Sequence, residues 1–233
     1  MRKVLLSFVA AMFALASLTI ASAQDRATIN NQLDKSAQIV QELTSPNTTA
    51  GIPHQVLEGA KCIAVIPGMK QAGFIIGGKH GDGVATCKLS NGRWSPPAPF
   101  QTTGGNFGLQ IGAESVDVVM MVMNDQGMQS LESGHFKVGG EVNAAAGPVG
   151  RDADAEAGWK AAILTYAKAK GVYGGITING VELNQHKKNT EALYGRDVPF
   201  AEILRGQAPM THDPAVKQFL TTIHSAEENA HAQ

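Results

Sequence analysis

Apolar and polar positions follow two periods along this chain, and the switches between them lay out its elements. From Ile29, the apolar residues Leu33, Ala37, Val40 and Leu43 recur at helical spacing, with Asn31, Asp34, Lys35, Gln38, Gln41 and Glu42 on the other side. That is one amphipathic helix, ended at Ser45-Pro46-Asn47 because proline cannot continue it. A short helix over Pro53–Ala60 leads into Lys61–Leu89. There, three apolar runs, Cys62–Ile66, Gly73–Ile76 and Val84–Leu89, are separated by PGMKQA and GGKHGDG. Each run has strand length and each break consists of turn residues, which predicts a three-stranded meander.

Asn91-Gly92 stands where a tight hairpin turn belongs. Two strands follow at Phe107–Ala113 and Val116–Met123, the second apolar enough to be central. Asp125 caps a short helix through Leu131. Strands are predicted at Phe136–Ala146, Ala161–Ala167, Val172–Ile178 and Val181–Leu183. The last part is helical: Lys187–Tyr194, Pro199–Leu204, and a helix from Asp213-Pro214 that buries Val216, Phe219, Leu220 and Ile223 and frays after Ser225. About eight strands, mostly joined by short connections, predict one α+β domain. Its core is a largely antiparallel curled sheet or barrel flanked by N- and C-terminal helices.

The first 23 residues stand apart. Arg2 and Lys3, an apolar run from Val4 to Ile20 and Ala21-Ser22-Ala23 describe a signal peptide cut before Gln24; a retained anchor is the alternative. The expectation is a periplasmic or secreted protein comprising residues 24–233. Without Arg2 and Lys3 the charge is 17 basic against 20 acidic residues, which argues against nucleic acid as a partner. Export also changes the reading of the two cysteines. In an oxidising compartment Cys62 and Cys87 suit a disulfide, with free buried thiols as the alternative. The 26 glycines against 6% aromatics point to bulges and close backbone approach.

Catalytic motifs are missing. Gly77–Gly83 is glycine-rich but lacks phosphate-loop spacing, and a strand follows it, so it reads as a hairpin loop. Asp152, Asp154 and Glu156 resemble a calcium loop with its glycine one position late and Ile163 at the closing ligand position. The seven histidines show no metal-binding spacing, and there is no nucleophile elbow. The expectation is therefore no enzyme, no metal and no cofactor. The Met120, Met121, Met123 cluster reads as core filling.

An ordered set of motifs resembles the SYLF family, a lipid-binding domain also known for actin association in its fungal members. It comprises Ala60–Val65 with Ala72-Gly73-Phe74, Gly81–Val84, Gly92–Pro97, Gly108–Gly112, Ala145–Arg151, Tyr166–Gly175 and Tyr194-Gly195. The resemblance implies a non-enzymatic domain that binds membrane phospholipid, phosphoinositides in eukaryotic members, through an N-terminal amphipathic helix and basic residues. Carried onto this chain, the lipid-contact candidates are Lys61, Arg151, Lys168 and Lys170, with Ile29, Leu33, Val40 and Leu43 on the helix. Arg151 can grip phosphate bidentately or else bond its own loop, Asp152 or Asp154. The first helix either lies on a membrane or packs on the sheet. The other reading is a structural module of the cell envelope with an envelope protein as its partner.

Overall fold

A computed structural model describes residues 24–45, 48, 51–150, 161–169, 172–176 and 178–231. The segment expected to be a signal peptide, Arg151, the acidic Asp152–Glu156 stretch and Lys170 lie outside the described residues. In chain order the elements are α1 (24–43), α2 (His54–Gly59), β1 (Cys62–Cys87), β2 (Ala98–Val122), α3 (Asp125–Glu132), β3 (His135–Lys137), β4 (Ala144–Ala146), β5 (Ile163–Ala169), β6 (Val172–Gly175), β7 (Val181–Gln185), α4 (Lys187–Tyr194), α5 (Phe200–Leu204) and α6 (Pro214–His231).

The meander expected at Lys61–Leu89 is instead one strand of 26 residues. It pairs antiparallel with β2 from Cys62↔Val122 to Ala85↔Ala98. The breaks taken for turns lie within the strand. PGMKQA contains a bulge between Ile66 and Met69, where Gly68 adopts φ +60°. The glycines of GGKHGDG continue the ladder, from Gly77↔Asn106 to Gly83↔Phe100. The two strands expected over Phe107–Met123 are likewise the single strand β2.

This long ribbon folds over until its two ends meet. Lys88 N–H donates to the Lys61 carbonyl at 2.8 Å, and a disulfide joins Cys62 to Cys87 with their Cα atoms 4.0 Å apart. The halves of β1 lie against each other because Gly81 and Gly83 carry no side chain. A Cβ on Gly83 would stand 2.7 Å from the Val65 carbonyl oxygen and would overlap the Phe100 ring, and one on Gly81 would stand 2.7 Å from Ile66.

The first half of β2 pairs with β7, which pairs with β3; its second half pairs with β5. The far edge of β5 is shared by β4, parallel, and β6, antiparallel. The sheet thus has two limbs, one of β3, β7, first half of β2 and second half of β1, the other of first half of β1, second half of β2, β5, then β4 with β6, which meet where β1 folds against itself. These eight positions form the curled, largely antiparallel sheet that the periodicity predicts.

Alternate residues face opposite sides of the sheet, and both sides are buried. Ile63, Val65, Val119, Met121, Leu164 and Tyr166 pack with Ile29, Leu33, Val40, Leu43, Val56, Phe219 and Ile223 under α1, α2 and α6. Cys62, Ala64, Ile66, Phe100, Val118 and Met120 pack with Phe136, Leu183, Ile203 and Leu204 on the other side. Helix α6 runs beyond Ser225 because Glu227 anchors it. That carboxylate is 7% exposed; it pairs with the Lys88 ammonium and accepts from Trp94 Nε1 at 3.1 Å. At the other end, Arg26 pairs with Asp213 at 3.1 Å and donates to the Ala192 and Leu193 carbonyls that close α4. Helix α3 is capped by Asn124, whose side chain accepts from Gly127 N–H, rather than by Asp125.

Candidate functional site

Helix α1 shows two faces besides its solvent side. The stripe Ile29, Leu33, Ala37, Val40, Leu43 enters the core, none more than 2% exposed. The neighbouring stripe, Thr28, Asn31, Gln32, Lys35, Gln38, Ile39 and Glu42, forms one wall of a groove of about 740 Å³. The opposite wall is the folded-over ribbon: Pro67, Gly68, Lys70, His80, Gly81, Asp82, Ser115 and Asp117, with Lys168 from β5. Residues far apart in sequence meet there because the two halves of β1 close on each other, with Gly81 against Ile66 and Met69.

The bulge at Gly68 is pinned by its N–H, which donates to Asp117 Oδ1 at 2.8 Å. Lys168 is paired with Glu42 of α1, an exposed pair that ties the helix to the sheet. Gln32, 8% exposed, accepts from Asn189 Nδ2 at 3.4 Å. His186 caps α4, its Nδ1 accepting from Asn189 N–H at 3.2 Å, and its Nε2 stands 3.8 Å from Asp82 Oδ1. The groove's lining is about equally polar and apolar and of mixed charge, and among the described residues it offers no nucleophile paired with a base. Among the described residues, no three His, Cys, Asp or Glu side chains cluster to hold a metal, and no helix is long and apolar enough to cross a membrane.

A family described as "Las17-binding protein actin regulator", Ysc84, matches residues 103–226, from β2 through most of α6. The chain belongs to the Ysc84 family. It is similar to Protein YSC84 of Saccharomyces cerevisiae, 31% identical over 218 residues that cover 87% of this chain and 46% of that protein. It is also similar to SH3 domain-containing protein PJ696.02 of Schizosaccharomyces pombe, 32% identical over 80% of this chain and 46% of that one. The human SH3 domain-containing YSC84-like protein 1 is 29% identical over 78% of this chain and 55% of that protein. This Ysc84-family chain thus spans about half the length of the relatives it matches.

Of the lipid-contact candidates in this Ysc84-family chain, the groove gathers one, Lys168. Lys61 sits at the disulfide end of β1, half-exposed, its ammonium 2.6 Å from Asp125 Oδ1. Arg151 and Lys170 lie outside the described residues. Ile29, Leu33, Val40 and Leu43 fill the core, so of the two roles open to the first helix the structure shows packing on the sheet. Sequence reasoning did not single out Gln32, Lys35, Lys70, His80 or Asp82. The one signal for the strand wall was glycine at alternate positions 81 and 83, a bare strip on one face of a strand.

Proposed function

We propose that this protein is a non-enzymatic membrane-phospholipid-binding domain of the bacterial cell envelope. It would be exported by the segment ending at Ala23 and work in the periplasm or outside the cell. The observation that carries the reading is the groove along α1. It is open and wide enough for a headgroup, its lining is part polar and part apolar, and Lys35, Lys70, His80 and Lys168 stand on its walls. Exposed ammonium groups beside such a cleft suit a phosphate held at a surface. The role belongs to the polar edge of α1, since its apolar stripe is spent on the core. The disulfide supports export, because such bonds persist in oxidising compartments.

Co-sedimentation of the purified protein with zwitterionic and anionic liposomes tests this. Binding to at least one composition, weakened by Lys35→Glu with Lys70→Glu, is the expected result. No binding to any composition, with no lipid co-purifying by mass spectrometry, would count against it. A second reading is favoured by the family description and the relatives' names: a protein-interaction module with lipid incidental. A stoichiometric protein partner recovered from envelope extract, without lipid, would replace the first reading by the second.

A further inference from the structure

The corner where the long ribbon folds over stands apart from the rest of the sheet. On β2, pairing with β7 stops at Gly104 and pairing with β5 begins at Asp117. Among the described residues β1 pairs only with β2, so between those limits the two strands have only each other. Leu109, Gln110 and Ile111 of β2 span the stretch that Phe74 alone spans on β1, between the Gly73↔Gly112 and Ile75↔Gly108 pairs. The outer strand of a bend has the longer path and needs the extra residues. The inner strand is β1, whose halves meet with Gly81 against Ile66 and Met69. Residues leading into the corner are already at the surface: Ala72, Gly78, Gly105, Glu114 and Ser115 are exposed. Among the described residues, a Cβ on Gly78 or Gly105 would meet nothing nearer than a carbonyl oxygen of the facing strand, at 4.0 and 3.9 Å.

The sequence of this corner is uncharged and apolar. Residues 71–78, QAGFIIGG, and 104–113, GGNFGLQIGA, contain no charged side chain. Phe74, Ile75 and Ile76 stand there on β1, and Phe107, Leu109 and Ile111 on β2. Such a run on a ribbon that no other strand flanks suits a partner rather than a core. Charge returns at the base, with Lys70 and Glu114 on one side and Lys79 and His80 on the other. Two ammonium groups against one carboxylate bias that rim towards an anionic surface. A second copy docked on the same corner would instead bring two sets of these ammonium groups together. The outer edges of both strands are unpaired here, and unpaired backbone is costly in hydrocarbon, so entry stops in the wet headgroup layer. We infer that the folded end of the β1–β2 ribbon inserts shallowly into an anionic phospholipid bilayer, with Lys70 and Lys79 against its phosphates. Lys70, His80 and Ser115 also line the groove along α1, so this insertion holds the groove at headgroup level. The inference rests on the phospholipid reading and names the part of the chain that enters the membrane.

The test measures binding of the purified, oxidised protein to phosphatidylcholine vesicles with and without phosphatidylglycerol. Leu109→Ser with Ile111→Ser should weaken binding to the anionic vesicles about tenfold and leave the unfolding midpoint unchanged. Lys70→Gln with Lys79→Gln should reduce the preference for anionic vesicles. The native cysteines are joined, so a thiol-directed, environment-sensitive fluorophore labels Ile111→Cys at the introduced thiol alone. That fluorophore should brighten on anionic vesicles and be quenched by lipid spin-labelled at the headgroup. On Lys217→Cys, at an exposed position of α6, it should do neither. Three results overturn the inference and leave the phospholipid reading standing: vesicle binding that the serine variant does not weaken, an anionic preference unchanged in the glutamine variant, or an Ile111→Cys fluorophore indifferent to bound vesicles. A serine variant that fails to fold puts the corner in the core and overturns the inference too. Absence of binding to either vesicle overturns both readings. A concentration-dependent dimer that the serine variant dissolves, without vesicle binding, replaces the bilayer by a second copy.

Discussion

Gly83→Ala should be among the most damaging single-methyl additions in this protein. The new Cβ would stand 2.7 Å from the Val65 carbonyl oxygen and from Cε2 of Phe100. Phe100 is fully buried among Cys87, Leu183 and Phe136, so its ring has nowhere to turn without disturbing close-packed neighbours. The carbonyl is backbone and yields only if the halves of β1 part. Overpacking of a tight core costs about 1–3 kcal/mol, and two unyielding neighbours place this site at the top of that range. For a domain of this size, each kcal/mol lowers the midpoint by about 2–4 °C, so a fall of roughly 6–12 °C is expected. Thermal and denaturant unfolding followed by circular dichroism measures it. Gly174→Ala, where an added Cβ meets nothing within 4 Å, is the control and should stay within about 0.5 kcal/mol of the parent. A Gly83→Ala protein as stable as that control would refute the close apposition of the two halves of β1.

Two further outcomes are expected. Reducing the disulfide should cost about 3 kcal/mol by the chain-entropy estimate for a loop of this length, read as a lower denaturation midpoint with dithiothreitol. An unchanged midpoint would mean the linkage does not constrain the unfolded chain. Burial pushes the Tyr166 and Tyr194 phenols well above their ordinary value, so both stay neutral in the folded protein. Their contribution to stability is complete below about pH 10 and is lost as the pH rises towards the folded-state values. Absorbance at 295 nm near pH 11 should therefore report tyrosinate from at most one of the three tyrosines until the protein is unfolded. Ordinary titration of two or more in the folded state would contradict the burial.

How far the sequence could be read depended on what each glycine was for. Helix α4 falls where its pattern places it, and α1 keeps its apolar stripe on one side, because a helix declares its buried face within a few turns. The pattern breaks β1 and β2 into shorter pieces because Gly68, Gly81 and Gly83 look the same whether they make a turn or admit a neighbouring backbone. Only Gly68 has the positive φ of a turn residue; Gly81 and Gly83 are extended and bare for contact. The groove was less legible still. Lys35, Lys70, Asp82 and Lys168 belong to three separate elements, and their meeting depends on the ribbon folding over, which no local spacing encodes. The apolar stripe of α1 showed that one face is buried, but a membrane and a protein core ask for the same residues.

The covalent link between the ends of β1 also decides how this protein would respond to being pulled. A load applied at the chain ends passes through the sulfur atoms from Cys62 to Cys87 and bypasses the residues between them. A span of 25 residues, worth roughly 85 Å of extended chain, is thus sheltered from tension. In a single-molecule stretching experiment the oxidised chain would come up short by that length and regain it when a reductant is added. The part of the ribbon that forms one wall of the groove would then be among the stretches that force cannot straighten.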